Sequence, residues 1–371
     1  MHFQIKRDIL LKSLNFAHNI IERKNTLPIL SNVLLRVKDS KLSVVATDLD
    51  LVFYDEIQDL KIINEGSTTT SATVLHDLLR KLPSNLDIIF NLKDENKLNI
   101  SAENSKFNLL CLPTDNFPNF SDDFNSEEII LKGKDFLSLL NKTKVSMSND
   151  ETRHYLNGIF IHITESNGKS FLTGVATDSH RLSSSSMSLE NGAKFKSFIL
   201  PKKTVFQLCN LLTETSEKVS LFSADTKIQF KIGNTKITSK IIDGKFPDYK
   251  KVVPANNSKV LSANVKELID SVERVITVSL DRKEGVKLTL EKDKIQLFVN
   301  SSSSGEGKET LQASYDSEQF TVSFNSRYLL DVASEIEDEK ITLKLNDAVS
   351  PVLIIDNSDK RSYYVIMPMK I

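Results

Sequence analysis

Val45-Ala46-Thr47-Asp48 recurs as Val175-Ala176-Thr177-Asp178, a shift of 130 residues. A second string, Asp115-Asn116-Phe117-Pro118, recurs as Asp243-Gly244-Lys245-Phe246-Pro247 with its proline displaced by 129. Two distant anchors that keep nearly one offset leave almost no room for insertion between them. A third copy is fainter but in register: Ser71-Ala72-Thr73-Val74-Leu75 aligns with Pro201-Lys202-Lys203-Thr204-Val205 at 130 and with Asn325-Ser326-Arg327-Tyr328-Leu329 at 254. Solenoid units repeat every 20–50 residues or so, so a period this long is a whole domain. The chain therefore reads as three tandem domains, residues 1–125, 126–252 and 253–371. Linkers are expected near Ser121-Asp122-Asp123-Phe124-Asn125 and Val253-Pro254-Ala255-Asn256-Asn257.

Each copy opens with a short apolar strand and an amphipathic helix. Ile9, Leu10, Leu14, Ala17 and Ile21 recur at helical spacing in the first copy, Phe136, Leu137 and Leu140 in the second, and Val265, Leu268, Ile269 and Val272 in the third. A second helix follows mid-copy, carried by Leu75, Leu78, Leu79 and Leu82, then Val205, Leu208, Leu211 and Leu212, then Leu329, Leu330, Val332 and Ile336. Elsewhere the pattern alternates with period two, as in Lys41-Leu42-Ser43-Val44 and Ile341-Thr342-Leu343-Lys344-Leu345, between Asn, Asp, Gly and Ser turns. The fold class is α+β, three tandem copies of two helices and many antiparallel strands. The serine runs 183–186 and 301–304 are expected at exposed turns or strand edges.

With 40% hydrophobic and 26% charged residues among 371, the composition is that of a folded globular chain. Met1-His2-Phe3-Gln4-Ile5-Lys6-Arg7-Asp8 has no apolar signal core, and no stretch approaches the roughly 20 apolar residues of a membrane span. The expectation is a cytoplasmic protein with no membrane partner. Cys111 and Cys209, at different places in their copies, are expected to be buried, inert thiols. A net charge of −1 excludes a uniformly basic surface. The six expected helical stretches nevertheless carry 16 Lys and Arg against 10 Asp and Glu, leaving −7 for the remainder. Helices sharing one wall would make that wall positive on an acidic body, although the two helices of the third copy sum to −3.

No phosphate loop, dinucleotide fingerprint, HExxH or CxxC occurs, and no metal or cofactor is expected. Asp178-Ser179-His180-Arg181 crowds an acid, a hydroxyl and an imidazole together. Neighbours in sequence point apart, so this is not a nucleophile, base and orienter, and no catalytic residue is assigned. A hydrolase using Asp178 and His180, and a scaffold that binds only protein, are the competing readings.

Thr26-Leu27-Pro28-Ile29-Leu30, Tyr155-Leu156-Asn157-Gly158, Ala176-Thr177-Asp178-Ser179-His180-Arg181-Leu182, Phe246-Pro247-Asp248-Tyr249 and Tyr364-Val365-Ile366-Met367-Pro368-Met369 together resemble the β subunits of bacterial DNA polymerase III, the sliding clamps, over the full length. The resemblance implies a non-enzymatic processivity factor: a head-to-tail homodimer whose six domains form a ring around double-stranded DNA, independent of sequence. It implies tethering of the polymerase III α subunit, the clamp loader, other DNA polymerases and repair proteins through short peptides. By position it places the peptide pocket at Leu156, Thr177, His180, Arg181, Leu182, Pro247, Val252, Tyr328, Val349, Val365, Met367, Pro368 and Met369. Soft methionines near a chain end suit such a pocket. DNA contacts are implied for Lys24, His154, Tyr155, Lys202 and Lys203, and a dimer seam for Lys106, Phe107 and Leu109 against Val278, Glu306 and Glu309. The chain departs from the family at Ser179, where Gly is common, at Pro351, where Ser is usual, and at His154, where a tyrosine is usual. Lys106 is a single basic residue where the family often has several.

Overall fold

The computed structural model describes residues 1–21, 27–94, 96–120, 124, 126–189, 194–213, 217–279 and 285–370. They form two compact units, Met1–Lys134 with Phe206–Ile241, and Asp135–Val205 with Ile242–Ile371. The α-helices among the described residues are α1 (Arg7–Ile20), α2 (Ala72–Lys81), α3 (Gly133–Lys144), α4 (Lys202–Thr213), α5 (Val265–Val275) and α6 (Ser326–Ala333). They fall where the apolar periodicity places them, two per repeat.

Three of the helices, α2, α5 and α6, follow a strand that ends on a polar cap. Ser71 accepts from the Val74 N–H, Asn264 from Glu267 and Asn325 from Arg327, supplying partners for amides that have none inside the helix; such caps are worth about 1 kcal/mol each. The buried faces follow helical spacing: Leu10, Leu14 and Ala17 in α1, Leu268, Val272 and Val275 in α5. Helix α6 stops at Ala333, short of Ile336, the last of its expected apolar residues, because the Glu335 and Ile336 amides turn to Val332 and Ala333 and tighten the chain. This still delivers Ile336 to the core of the third repeat.

The first unit holds a thirteen-stranded sheet in the spatial order Ile129–Lys132, Lys218–Ser223, Lys227–Ile232, Thr235–Lys240, Leu51–Ile57, Lys41–Thr47, Asn32–Lys38, Gly66–Ser71, Ser105–Leu112, Lys97–Ala102, Asp87–Asp94, His2–Lys6, Leu60–Asn64. The second holds a twelve-stranded sheet: Phe198–Pro201, Gly158–Ser166, Lys169–Thr177, Arg181–Ser188, Ser362–Ile366, Val352–Asp356, Lys340–Leu345, Lys259–Asn264, Gly305–Tyr315, Lys294–Ser301, Gly285–Glu291, Phe320–Asn325. Repeats are thus joined edge to edge. Phe53 opposite Ile237 links the first to the second, and Leu182 opposite Val365 links the second to the third.

The recurring four residues build the same turn twice. Thr47 Oγ1 donates to the Leu51 carbonyl and accepts from the Leu49 amide, while Asp48 Oδ1 accepts from the amides of Asp50 and Leu51. Thr177 and Asp178 repeat every bond with Arg181, Ser179 and His180. Both turns need a left-handed residue, and Leu49 (φ +80°) and Ser179 (φ +78°) occupy it without being glycine. The second anchor is a buried aromatic: Phe117 packs on Ile29, Leu30 and Leu34, and Phe246 stacks on Phe160 at 4.9 Å.

The serine run 183–186 overturns its expectation. It lies in an interior strand, with Ser183, Ser184 and Ser185 buried. Burial is tolerable because hydroxyls pair with one another: Ser183 with Ser146 at 2.6 Å, Ser185 with Ser362 at 2.8 Å, and Ser186 with Thr173 at 2.9 Å. In the second run Ser301 is buried at a strand end, and 302–304 are an exposed turn. Both cysteines are buried and unbridged, and burial raises the Cys111 thiol above its usual range. No helix among the described residues is long and apolar enough to cross a membrane.

Candidate functional site

The second copy of the Thr-Asp turn opens beside an apolar cleft of about 230 Å3 within the second unit. Thr177, His180, Arg181, Leu182, Pro247, Val252, Val365 and Met367, eight of the residues that the resemblance places in a peptide pocket, line it. Ser179, Asp248 and Tyr249 complete the lining and were not among the expected site residues. Tyr249 had a signal in the Phe246-Pro247-Asp248-Tyr249 string, where it stands three residues after the buried Phe246 and is itself buried. Leu156 is buried behind the cleft, in one cluster with Leu182, Tyr249 and Val365. Pro368, Met369 and Val349 do not line it. The Met367 amide donates to the His180 carbonyl, but the Met369 amide turns to Ser323, and Val349 stands 55% exposed in a turn held by Asp347.

Arg181 braces the cleft from beneath. Its side chain is 8% exposed, its Nε donates to Asp178 Oδ2 at 3.0 Å, and its Nη1 donates to Asp331 Oδ2 at 2.6 Å. The guanidinium carbon lies 4.3 Å from the centre of the Tyr328 ring, and the His180 ring is 6.3 Å from the same ring. Tyr328 is therefore positioned through His180 and Arg181, although it does not line the cavity. The same bonds dispose of the hydrolase reading. Asp178 spends both oxygens on the turn and on Arg181, and the Ser179 hydroxyl accepts from Arg153 Nη1 at 2.6 Å.

At the cleft floor Tyr249 Oη lies 3.0 Å from His162 Nε2. Burial pushes the Tyr249 hydroxyl up to about 12, and burial, then the Lys250 charge, pulls His162 down to about 4. Both stay neutral at neutral pH, so the floor presents an uncharged surface to apolar side chains.

Of the residues implied for DNA, Lys24 lies outside the described residues. His154 is exposed, its Nε2 3.1 Å from the Asp243 carbonyl, and its ring meets Tyr155 edge to face at 5.9 Å. Gly244, at φ +140°, lets that loop approach: a Cβ there would meet Tyr155 Cβ at 3.0 Å. Lys202 donates to Asn149, and burial, followed by the charges of Arg327 and Arg181, lowers its pKa. Lys203 is half-buried.

Of the seam residues, Lys106, Phe107 and Leu109 lie on Ser105–Leu112, which over 105–110 ladders only with Lys97–Ala102 among the described residues. Phe107 and Leu109 are half-buried, whereas Lys106 and Leu110 are exposed on the other face. Leu110, 77% exposed, was missed by the sequence reading. Glu306 and Glu309 lie on Gly305–Tyr315, whose residues 305–312 ladder, among the described residues, only with Lys294–Ser301. Glu306 is exposed, but Glu309 is engaged within its own chain by Ser271 at 2.8 Å and Arg274 Nε at 3.0 Å. Val278 sits in the turn Ile276–Val278, packed on the core of the third repeat. No group of His, Cys, Asp and Glu among the described residues is arranged to hold a metal ion.

Residues 1–121, 130–248 and 250–370 match, in turn, the N-terminal, central and C-terminal domains of the DNA polymerase III beta subunit. The beta sliding clamp of Caulobacter vibrioides is 38% identical over 373 residues, covering 100% of both chains. Among solved structures, a C. crescentus beta sliding clamp with bound PEG superposes with a TM-score of 0.96 at 37% identity, over 100% of this chain and 99% of that one. A Bartonella birtlesii clamp bound to griselimycin gives 0.96 at 38% identity over 100% of both. Three domain matches in order and full-length identity with beta sliding clamps lead to one conclusion: this chain belongs to the family of bacterial DNA polymerase III β subunits, the non-catalytic sliding clamps.

Proposed function

We propose that this chain is a replication processivity factor whose three domains, residues 1–125, 126–252 and 253–371, pair head to tail with those of a second copy to encircle duplex DNA. Strand register carries the reading. Leu51–Ile57, shifted by 130 and 254, falls on Arg181–Ser188 and Gly305–Tyr315. Thr235–Lys240 corresponds likewise to Ser105–Leu112 in the first repeat and Ser362–Ile366 in the third. The first two pairs join successive repeats inside the chain. The remaining two strands are the members of a third, equivalent pair, and each has an open edge among the described residues. A second copy supplies each with its partner in the same geometry, and an open edge is costly to leave exposed. Phe107, Leu109 and Val278 form the apolar part of this seam, with Lys106 facing Glu306.

A ring linked to DNA by topology needs only weak phosphate contacts, for which Lys24, His154, Tyr155, Lys202 and Lys203 are the candidates. The cleft takes short apolar peptides of the polymerase III α subunit, the clamp loader, other polymerases and repair proteins in the cytoplasm. A tethered polymerase then stays at high effective concentration near its template. Val252→Glu places a charge at a 48% exposed cleft position without disturbing the core. Its peptide affinity, measured by fluorescence anisotropy, is expected to fall at least about tenfold, and native affinity in a folded variant contradicts the cleft assignment.

A further inference from the structure

We infer that a pocket where the first repeat joins the second, sharing no residue with the peptide cleft, binds an organic cation: an ammonium or guanidinium on an apolar stem. The pocket measures about 440 Å3 and lies wholly within the first unit, between α1, the end of Leu51–Ile57, α4 and the turn before Thr235–Lys240. Ile9, Phe16, Leu211 and Ile232 supply apolar wall, and Asp55, Asp59 and Glu217 supply charge. Lys12 is the one cation among the described lining residues, and the remaining acid, Glu56, is already met by Lys41 at 2.9 Å and Tyr54 at 2.7 Å. Asp55 uses only Oδ1, which accepts from the Thr235 hydroxyl at 2.8 Å, and Asp59 has no partner among the described residues. Gly233, at φ +57°, makes room for the Glu217 carboxylate, since a Cβ there would lie 2.6 Å from Oε2. Ser13 is 2% exposed and lines the same pocket, and its Oγ has no hydrogen-bond partner among the described residues. A buried hydroxyl without a partner costs stability and calls for a cause.

The other two repeats show what this position accommodates. Counted from the helix starts Arg7, Gly133 and Val265, one position of α1, α3 and α5 holds Phe16, Lys142 and Arg274, and another holds Ser13, Leu139 and Ser271. Lys142, its side chain 5% exposed, reaches Glu337 at 2.9 Å and Asp359 at 2.8 Å in the following repeat. Arg274 Nε donates to Glu309 at 3.0 Å, and the Ser271 hydroxyl donates to the same carboxylate at 2.8 Å. Glu309 stands where Asp55 does, at the shift of 254 that relates their strands. Two copies thus set their own cation against carboxylates. In the first copy a phenyl ring, 6.0 Å from that of Phe53, takes the place of the cation, while the serine and the carboxylate remain. The acceptors are kept and the donor that meets them elsewhere is not, so the complementary ligand is an external cation. Its charged head suits Ser13 Oγ, Asp55 and Asp59, and its stem lies on Phe16 and Leu211, as the buried stem of Lys142 lies in its own junction.

The test titrates the native protein with N-acetyl-Leu-Arg amide, with its citrulline counterpart, which keeps the shape without the charge, and with spermidine, read by saturation-transfer NMR. The arginine peptide is expected to bind about five- to tenfold more tightly than the citrulline peptide. The double variant Asp55→Asn, Asp59→Asn should bring that ratio close to 1. Ser13→Ala should weaken the arginine peptide about two- to threefold with an unfolding temperature no lower than native, whereas a merely structural serine would move the temperature and leave the affinity alone. Spermidine that displaces the arginine peptide at comparable concentration identifies free polyamines as the source of the cation, and failure to displace it identifies a basic side chain of a protein. A ratio of 1 in the native protein, or a native ratio in the double variant, overturns the inference. So does a ratio that falls in Val252→Glu but not in the double variant, which would put the binding in the peptide cleft.

Discussion

Arg181 Nη1 donates to Asp331 Oδ2 at 2.6 Å, tying the Thr-Asp turn of the second repeat to α6 of the third. The guanidinium is almost wholly buried and also serves Asp178, so its removal leaves Asp178 without its cation and Asp331 with only the more distant, exposed Arg327. Breaking a buried pair from one side costs far more than the pair is worth, because the orphaned charge stays behind. Arg181→Ala is expected to lower unfolding free energy by about 2–4 kcal/mol in urea titrations. Asp331→Asn, which keeps a hydrogen-bond acceptor at a partly exposed site, should cost about 1 kcal/mol.

His162 gives the fold a pH dependence of known sign. Burial holds its folded-state pKa near 4, whereas the imidazole of an unfolded chain protonates near 6.5. Between those values the unfolded state binds the proton preferentially, so this contribution is complete above about pH 6.5 and is lost as pH falls toward 4. With partial solvent exposure allowed for, the loss is about 1–2 kcal/mol. Stability measured at pH 7 and pH 5 should differ by that much less in His162→Phe than in the native protein.

Gly307 marks a close backbone approach. A Cβ there would lie 2.7 Å from the Val275 carbonyl oxygen, where α5 ends against the open-edged strand. Gly307→Ala is expected to cost about 1–3 kcal/mol in thermal or urea unfolding, since backbone rather than a side-chain tip must move. It should also weaken self-association, because Val278 follows directly on the displaced turn.

Phe107 is half-buried on the open edge of its strand. Phe107→Ala is expected to raise the dimer dissociation constant about tenfold or more in analytical ultracentrifugation. Lys106→Ala should change it little, and chiefly at low salt.

The helices were legible because their apolar residues recur at 3.6-residue spacing. The cleft was legible where an offset or a motif marks it, as at Thr177, Arg181 and Leu182. Ser183–Ser186 was misread because hydroxyl polarity predicts exposure, whereas cross-strand partners such as Ser146 and Ser362 are distant in sequence. Glu309 is placed at the seam by the resemblance alone, and its bond to Arg274, 35 residues away, joins groups that the order of the chain keeps apart. The Arg153 contact with Ser179 was invisible for the same reason, although the unusual serine was itself visible.

Topological linkage is the central claim, and it is tested most directly by retention on DNA. Clamp loaded by its loader onto nicked circular DNA is predicted to co-elute with the circle through gel filtration at moderate salt, and to be lost when a single cut linearises it. Equal retention on circular and linear DNA, or equal loss from both, would contradict the account.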